Sequence, residues 1–568
     1  MAEMISVCFR DTQDKEKIIL KLKGMNDRLT PENITFSNPK FISPDDSMIS
    51  AVFNPNSTVH ISGDESGFYL GEVFEQRIWN KSGTPSPDGT YAMIRSNNKI
   101  VEAITDAVAS RTLWYYFDQE KWIVSTSQRA IVMFLGSFEF NEKVIPWMLS
   151  AGNLGPGFSW DNRIKHISPN TIAKLDRMQW KLNINKEEIE FNQIKLSDKE
   201  HRIRLEEAIK ETFGSMDINA NHWVLPLSGG YDSRALLMFL MGENNIRTIT
   251  WGTQYALNQS YSDAVIAKKL AQALNIKNTY FTLDNGEVDV QTVIKRFIEN
   301  GEGRIDHISG YIDGFSLWQK LYDAGVEGTI RGDVPWPTSY PYNMKDLRGI
   351  LGFRLWDDYE NLPTLTELGL PQQNCVEIFS QKDHETLEMA RDRLYNSIKM
   401  PFVLSALNDL KSSYGELMSP FLSKNILKVT FTLPDHLRNN KFLFKEIVND
   451  LSPPIAYAKY KSNIKIEEFV SNEGVRNVVF EKIANCDIEI FSQIYIRFIL
   501  EKLRNNKHSY MKKHIRKAKA RLSPYISKKI KKRLRNHVTK YNINFDLLAF
   551  RTVIIIEMYK LLCKDKNF

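Results

Sequence analysis

Residues 224–234 read VLPLSGGYDSR, an apolar run that breaks into two glycines and then Tyr-Asp-Ser-Arg. A strand that ends in such a turn and passes directly into a helix aims backbone N–H groups, and the positive end of the helix dipole, beyond the strand's carboxyl end. The natural occupant is an anion, a phosphate above all. Gly229 and Gly230 let the backbone turn toward it, and the hydroxyls of Ser228 and Ser233 add donors. Asp232 would repel a phosphate directly, so its chemistry is that of a Mg²⁺ ligand, with the metal bridging carboxylate and phosphate. The turn from Ser228 through Tyr231 to Arg234 is therefore a candidate pyrophosphate cradle.

The flanking elements are the ones such a cradle needs. Residues 223–227 form a short apolar strand, followed by RALLMFLMG as a helix, TITWG as a strand, YSDAVIAKKLAQALNI as a helix and NTYFTL as a strand. Strand and helix alternating at this spacing predict a parallel, doubly wound sheet, which binds ligands at its carboxyl strand ends. Just upstream, KEHRIRLEEAIKETFGSM predicts an amphipathic helix with Ile203, Leu205, Ala208, Ile209 and Phe213 on its apolar side. The first third differs. MISAVF, FYLGEVF, TYAMIRS, KIVEAIT, TLWYYFD, KWIVSTS and TIAKLD are short alternating or apolar runs between turn residues, the pattern of layered antiparallel sheets, with a helix near VIPWMLSAG. Beyond residue 380 the pattern is mainly helical. The chain thus divides into 1–195, 196–500 and a basic helical extension, 501–568.

With 568 residues, 42% hydrophobic and 25% charged, the chain has material for two or more globular cores. The most apolar stretch near the C-terminus, TVIIIEMYKLL, is interrupted by Glu557 and Lys560; it reads as a core helix, and no transmembrane segment is expected. The first thirty residues contain acids and lack a long apolar core, which predicts no signal peptide. Cys8, Cys375, Cys486 and Cys563 show no CxxC pairing, which suits reduced thiols in a cytoplasmic protein. The net charge of +7 is uneven, because residues 502–540 carry 16 Lys or Arg and no acid. That segment is either a solvated pair of basic helices broken at Pro524, or a docking element for an acidic partner, nucleic acid or an anionic membrane surface. Its few aromatics weigh against single-stranded nucleic acid.

SGGYDSR resembles the pyrophosphate loop of the ATP pyrophosphatase superfamily, in its asparagine-synthetase-like branch. That branch uses ATP and Mg²⁺ to adenylate a carboxylate, releasing pyrophosphate, and an amine then attacks the acyl-adenylate. The resemblance covers residues 50–465 and is most specific at the loop. It implies Leu225, Leu227, Trp251 and Gly252 as adenine neighbours. AGVEGTIRGDVPWP resembles the segment that reads close to GEGADE in asparagine synthetases; Gly332 and Asp333 are retained, and Asp333 is implied as the second metal carboxylate beside Asp232. The glutamate that assists ammonia attack there is replaced by Arg331 or lost. SPPIAYAKYKSN resembles the stretch whose lysine neutralises charge on the phosphates in the transition state, which points to Lys461 first and Lys459 second. Ser423 stands where the family's PFLD motif has aspartate. Residues 334–375, with their aromatics and Arg348, are expected to line or cap the substrate pocket.

The first third resembles the class II glutaminase (Ntn-type) domain that precedes the synthetase domain in that family, on SPDGTYAMIRS, DAVASRTLWYYFD and WIVSTSQRAI. A working domain of that kind needs an N-terminal cysteine whose own α-amino group acts as base. This chain begins Met-Ala-Glu, and Cys8 lies inside the expected first strand, so Ala2 stands at the nucleophile's position and the domain is expected to be an inactive scaffold. The function this implies is an ATP-dependent amide-forming ligase acting on a small-molecule or peptide carboxylate without glutamine hydrolysis. The amine source stays open between free ammonia, giving an asparagine-synthase-like amidation, and an internal amine, giving a macrolactam as in lasso-peptide cyclases or a ring as in β-lactam synthetases. A non-catalytic nucleotide-binding scaffold with a basic docking tail is the reading from another class.

Overall fold

Side-chain alternation decides the first layer. In β1 (Glu3–Phe9), Met4 and Cys8 face a second sheet, while Ile5 and Val7 face helices on the other side. The computed structural model describes residues 3–505 and 542–568, apart from 36, 57, 76–77, 217, 219–221, 242–245, 285 and 374–375. Ala2, Cys375 and most of the basic segment, 506–540, lie outside the described residues.

The strands of the first part are β1, β2 (Lys40–Asp45), β3 (Met48–Phe53), β4 (His60–Ile61), β5 (Gly67–Val73), β6 (Gly89–Ser96), β7 (Ile100–Thr105), β8 (Trp114–Phe117), β9 (Lys121–Ser125), β10 (Lys165–His166), β11 (Thr171–Asp176) and β12 (Lys181–Lys186). They form two six-stranded antiparallel sheets, ordered β10-β8-β9-β1-β3-β2 and β12-β11-β7-β6-β5-β4. Met4, Cys8, Val52 and Val124 of one sheet meet Phe68, Leu70, Ala92 and Ala103 of the other in a shared core. The expected strands are all present, as is the helix at Val144–Ala151. Cys8 is sealed between the sheets, where burial pushes its thiol up to about 12.

The second part is built on β13 (Trp223–Pro226), β14 (Arg247–Gly252), β15 (Asn278–Thr282), β16 (Gly328–Ile330) and β17 (Glu416–Met418). They pair in parallel in the order β15-β14-β13-β16-β17. Both faces are covered, as parallel sheets require. Val224 packs toward the helices Val290–Asn300 and Ser316–Asp323, while Trp223, Leu225 and Leu227 pack toward Asp198–Gly214 and Tyr231–Leu240. The helix Asp198–Gly214 starts in a capping box between Ser197 and Glu200. Four of its five expected apolar positions are buried. Ile203 is instead 44% exposed, and His201 and Thr212 take up the buried side.

The C-terminal helix, Phe545–Asp565, is no appendage. It lies inside the largest core, against Gln128–Leu135, Val144–Ala151 and Val290–Asn300, so the expected division at 501–568 does not hold for its last part. Glu557 and Lys560, which interrupt its apolar run, pair with Lys482 (2.7 Å) and Asp487 (3.2 Å). No helix among the described residues is long and apolar enough to cross a membrane.

Charged groups stitch the two parts together. Arg551 of this helix donates to Asp306 (2.7 Å) and to the carbonyls of Leu149 and Ser150. Arg111 pairs with Glu416 on β17, and Glu302 accepts from the Ser127 hydroxyl and from Gln128 N–H (2.9 Å) at the start of Gln128–Leu135. Asp88 accepts from Ser423 Oγ (2.5 Å) and Lys424 N–H (2.6 Å) at the start of the helix Lys424–Thr430. A carboxylate from the first part of the chain thus completes the helix start at Ser423.

Glu3 joins the same seam with an oxygen that has no hydrogen-bond partner among the described residues. Burial, with Glu302 nearby, pushes its carboxyl up to about 8. A carboxyl raised in this way stabilises the fold most below its unfolded value of 4.5, and that contribution is lost as pH rises through about 8. Thermal melts should therefore show Glu3→Gln matching the natural protein near pH 4.5 and melting progressively higher toward pH 8, with the gap constant above it. A gap independent of pH would show that Glu3 does not titrate in this window.

Candidate functional site

The chain leaves the sheet after Leu227, whose N–H still bonds Ile249 O (2.7 Å). The serines then shape the turn. Ser228 N–H donates to Ser233 Oγ (3.0 Å), the two hydroxyls lie 2.9 Å apart, and Gly230 N–H donates to Ser228 Oγ (3.2 Å). Gly229 N–H donates to Asp263 Oδ1 (3.0 Å), a carboxylate at the head of the helix Asp263–Ala273. The hydroxyls and N–H groups expected to face a phosphate are therefore largely spent on holding the turn. The first turn of Tyr231–Leu240 stays open, because its cap is Gly230 and no side chain caps it. Four such N–H groups at a helix start lack intrahelical partners. β13 lies between β14 and β16, so this opening faces the crevice where the sheet's connections diverge, the usual ligand position in an open parallel sheet.

A second segment is laid over the turn. Ala458 N–H donates to Gly229 O (2.9 Å), Asp263 N–H to Tyr460 O (2.9 Å) and Thr253 N–H to Ser462 O (3.0 Å). Arg234 holds this segment down. It is 1% exposed, donates to the carbonyls of Ile455 (2.8 Å) and Ala456 (3.1 Å), and lies 3.9 Å from the Tyr457 ring centroid. Tyr457 in turn stacks on Tyr231 with centroids 3.7 Å apart. Arg234, expected among the phosphate contacts, is thus a clamp with its charge turned inward. Lys459 and Lys461 ride on the clamped segment, both exposed; Lys459 N–H donates to Tyr261 O (2.8 Å). Lys459 lies over the Tyr261 ring (4.5 Å), and the charge of Lys461 favours ionisation of Asp263, which burial opposes.

The adenine-side residues fare differently from one another. Leu225 and Leu227 are core residues, 0% and 2% exposed. Gly252 is covered by Ser462, whose Cβ would lie 2.4 Å from a methyl at 252. Trp251 is half-buried, edge-on to Trp318. Two hollows lie away from the turn. One of about 270 Å³ opens beyond β15 between Thr282, Asp313 and Lys320, and one of about 410 Å³ lies between residues 186–191 and 382–397. Arg348 is paired with Asp358 (3.0 Å).

Neither expected metal carboxylate is free. Lys441 Nζ lies 2.7 and 2.6 Å from the two oxygens of Asp232. Arg331 donates to Asp333 through Nε (3.1 Å) and Nη2 (3.3 Å), and Ser419 Oγ adds a bond of 3.2 Å. Burial opposes ionisation of Asp333, but Arg331, Lys411 and Ser419 outweigh it and hold its carboxyl below the usual range. An ion bound at about 2 Å from an Asp232 oxygen would lie within about 4 Å of the ammonium. At an effective dielectric near 20 that repulsion is about 4 kcal/mol per unit of ionic charge, about 8 for a dication. The pair does not fit the Mg²⁺ role expected from sequence. Gly332 brings the two carboxylates together, since a methyl there would lie 3.0–3.2 Å from the Asp232 and Ser233 backbone.

Three participants had no sequence signal. Lys441 is the first of two lysines in NNKFLFK. Lys411 is fully buried behind Asp333, where burial and Arg331 push its ammonium well below the usual range. Tyr395 faces both carboxylates, and burial together with Asp333 and Asp232 raises its hydroxyl above the ordinary phenol range. Only Asp263, heading a helix after Ser262, stood at a recognisable position.

A scan against protein-family models finds no match, and a search among curated proteins finds none. Among solved structures, the chain is similar to glutamine phosphoribosylpyrophosphate amidotransferase from B. subtilis, complexed with ADP and GMP. The identity is 6% and the TM-score 0.21, over 50% of this chain and 91% of that one. A likeness of that size is too low to carry an argument about activity.

The seating of the second segment is directly testable. A methyl at Gly229 would lie 2.4 Å from Ala458 Cβ and 2.8 Å from Ile266 Cβ, whereas one at Gly63 meets nothing within 4 Å. Gly229→Ala should lose about 1–3 kcal/mol in urea unfolding, and Gly63→Ala far less. Equal losses would show that residues 455–463 do not lie on the turn.

Proposed function

We propose that the chain is an ATP-dependent ligase that activates a substrate carboxylate as an acyl-adenylate, releasing pyrophosphate, for attack by an amine. One observation carries this reading. An uncapped helix start follows the central strand of a parallel sheet directly, at the crevice where its connections diverge. The N–H groups of Tyr231, Asp232 and Ser233 would hold the departing pyrophosphate. Lys461, with Lys459 beside it, would neutralise the charge that grows as the α–β phosphate bond breaks. Tyr457 and Arg234 keep that segment in register with the turn. No step is assigned to a metal ion, because Lys441 and Arg331 already hold the two carboxylates. Glutamine is an unsuitable nitrogen source, since Cys8 is sealed between the sheets. Free ammonia and an amine on the substrate itself remain the two donors consistent with that.

A second reading, a nucleotide-binding scaffold without turnover, is favoured by Arg331. It stands where an ammonia-assisting glutamate would be and is locked on Asp333.

Exchange of labelled pyrophosphate into ATP, across a panel of small and peptide carboxylates, separates the two. The ligase reading expects exchange that Lys461→Met lowers about 100-fold or more without changing the melting temperature. ATP binding with no exchange on any acid would favour the scaffold. Glutamate release from glutamine would overturn the assignment of the first domain.

A further inference from the structure

Of the two cations flanking the turn, Lys441 is held there at a cost. Lys441 and its neighbour Asn440 both have left-handed backbone (φ 57° and 56°), an unfavourable conformation for two successive residues with side chains. This strained corner delivers an ammonium on a 7% exposed residue to both oxygens of Asp232. An ammonium has three N–H donors. Two are spent on Asp232, and the third has no partner among the described residues. Arg331 similarly spends Nε and Nη2 on Asp333, and its Nη1 has no partner among the described residues. Gly332 packs against the backbone of Asp232 and Ser233, so both cations stand beside the open helix start. Lys445 faces Asp232 as well and adds a further positive charge.

We propose that this site takes the pyrophosphate part of its ligand without a divalent cation, with Lys441 and Arg331 supplying the charge that Mg²⁺ supplies in asparagine-synthetase-like enzymes. The inference rests on the reading of the 228–233 turn as an anion site. In this arrangement Asp232 and Asp333 aim the cations and do not bind metal. Each carboxylate moderates its partner, so the site stays near neutrality until an anion arrives and takes up the remaining donors. The opposite signs expected for Asp232 make the two roles separable. A metal ligand strengthens binding, whereas a carboxylate competing for an ammonium weakens it.

Calorimetric titration of the full chain with inorganic pyrophosphate, in EDTA and in excess Mg²⁺, tests this. The expected result is binding in EDTA that Mg²⁺ does not strengthen. Asp232→Asn should tighten it about tenfold by freeing Lys441, and Lys441→Met should weaken it about tenfold. Should Lys441→Met fail to fold, Asp232→Asn decides alone. Binding that requires Mg²⁺ and is lost in Asp232→Asn would overturn this inference and leave the anion site standing. Binding indifferent to both substitutions lies elsewhere on the chain and overturns it too. No binding in either condition would overturn the anion site itself.

Discussion

Buried charge needs a partner, and along the seam between the two halves several of those partners cross it. Glu416 on the parallel sheet is fully buried and is met by Arg111 from the antiparallel half; Asp306 is met by Arg551 from the last helix, which also donates to Leu149 O and Ser150 O; Arg304, paired with Asp409, also donates to Thr112 Oγ1 of the antiparallel half (2.8 Å). Removing one member of such a pair leaves an ionised group in a low-dielectric interior, which typically costs 3–5 kcal/mol. Hydrogen-bonding caps follow the same rule. Glu302 closes a helix of the first part, and Asp88 closes a helix of the second. Each half leaves some buried polar groups that only the other satisfies.

This seam gives the antiparallel half a structural task. Loops at its strand ends carry the aspartate that completes Lys424–Thr430 and the arginine that neutralises Glu416 on the edge strand of the parallel sheet. A domain that caps helices and pairs buried carboxylates remains necessary to the fold whether or not it does chemistry. The C-terminal helix reinforces this, because it reaches both halves at once through Arg551 and through Asp565, which accepts from Arg28 and Arg129.

The site repeats the rule on a smaller scale. Its serines, its glycine N–H groups and both carboxylates are already partnered, so the turn is preorganised and does not have to be assembled around a ligand. What stays unspent is uniformly positive: a helix start, two exposed lysines on the clamped segment, and the remaining donors of Lys441 and Arg331. A site whose negative groups are paired internally and whose free groups are donors is complementary to an anion.

The sequence by itself determined the two architectures and the position of the turn. Alternation in MISVCF and TYAMIRS is a local property of extended chain, and WVLPL-SGGYDS-RALLMFL carries strand, turn and helix within 18 residues, so each could be read where it stands. The apolar run at 552–562 announced a core helix for the same reason. Ile203 was misread because periodicity marks a face without saying how wide the buried stripe is. What Arg234, Asp232 and Asp333 each meet was not legible in the sequence. The partners of Arg234 and Asp232, at 455–457 and at 441, are set by how distant segments cross, and the turn of the local backbone folds Arg331 onto Asp333. Tertiary structure alone decided which charges meet, and a carboxylate beside an ammonium does different chemistry from one open to a metal.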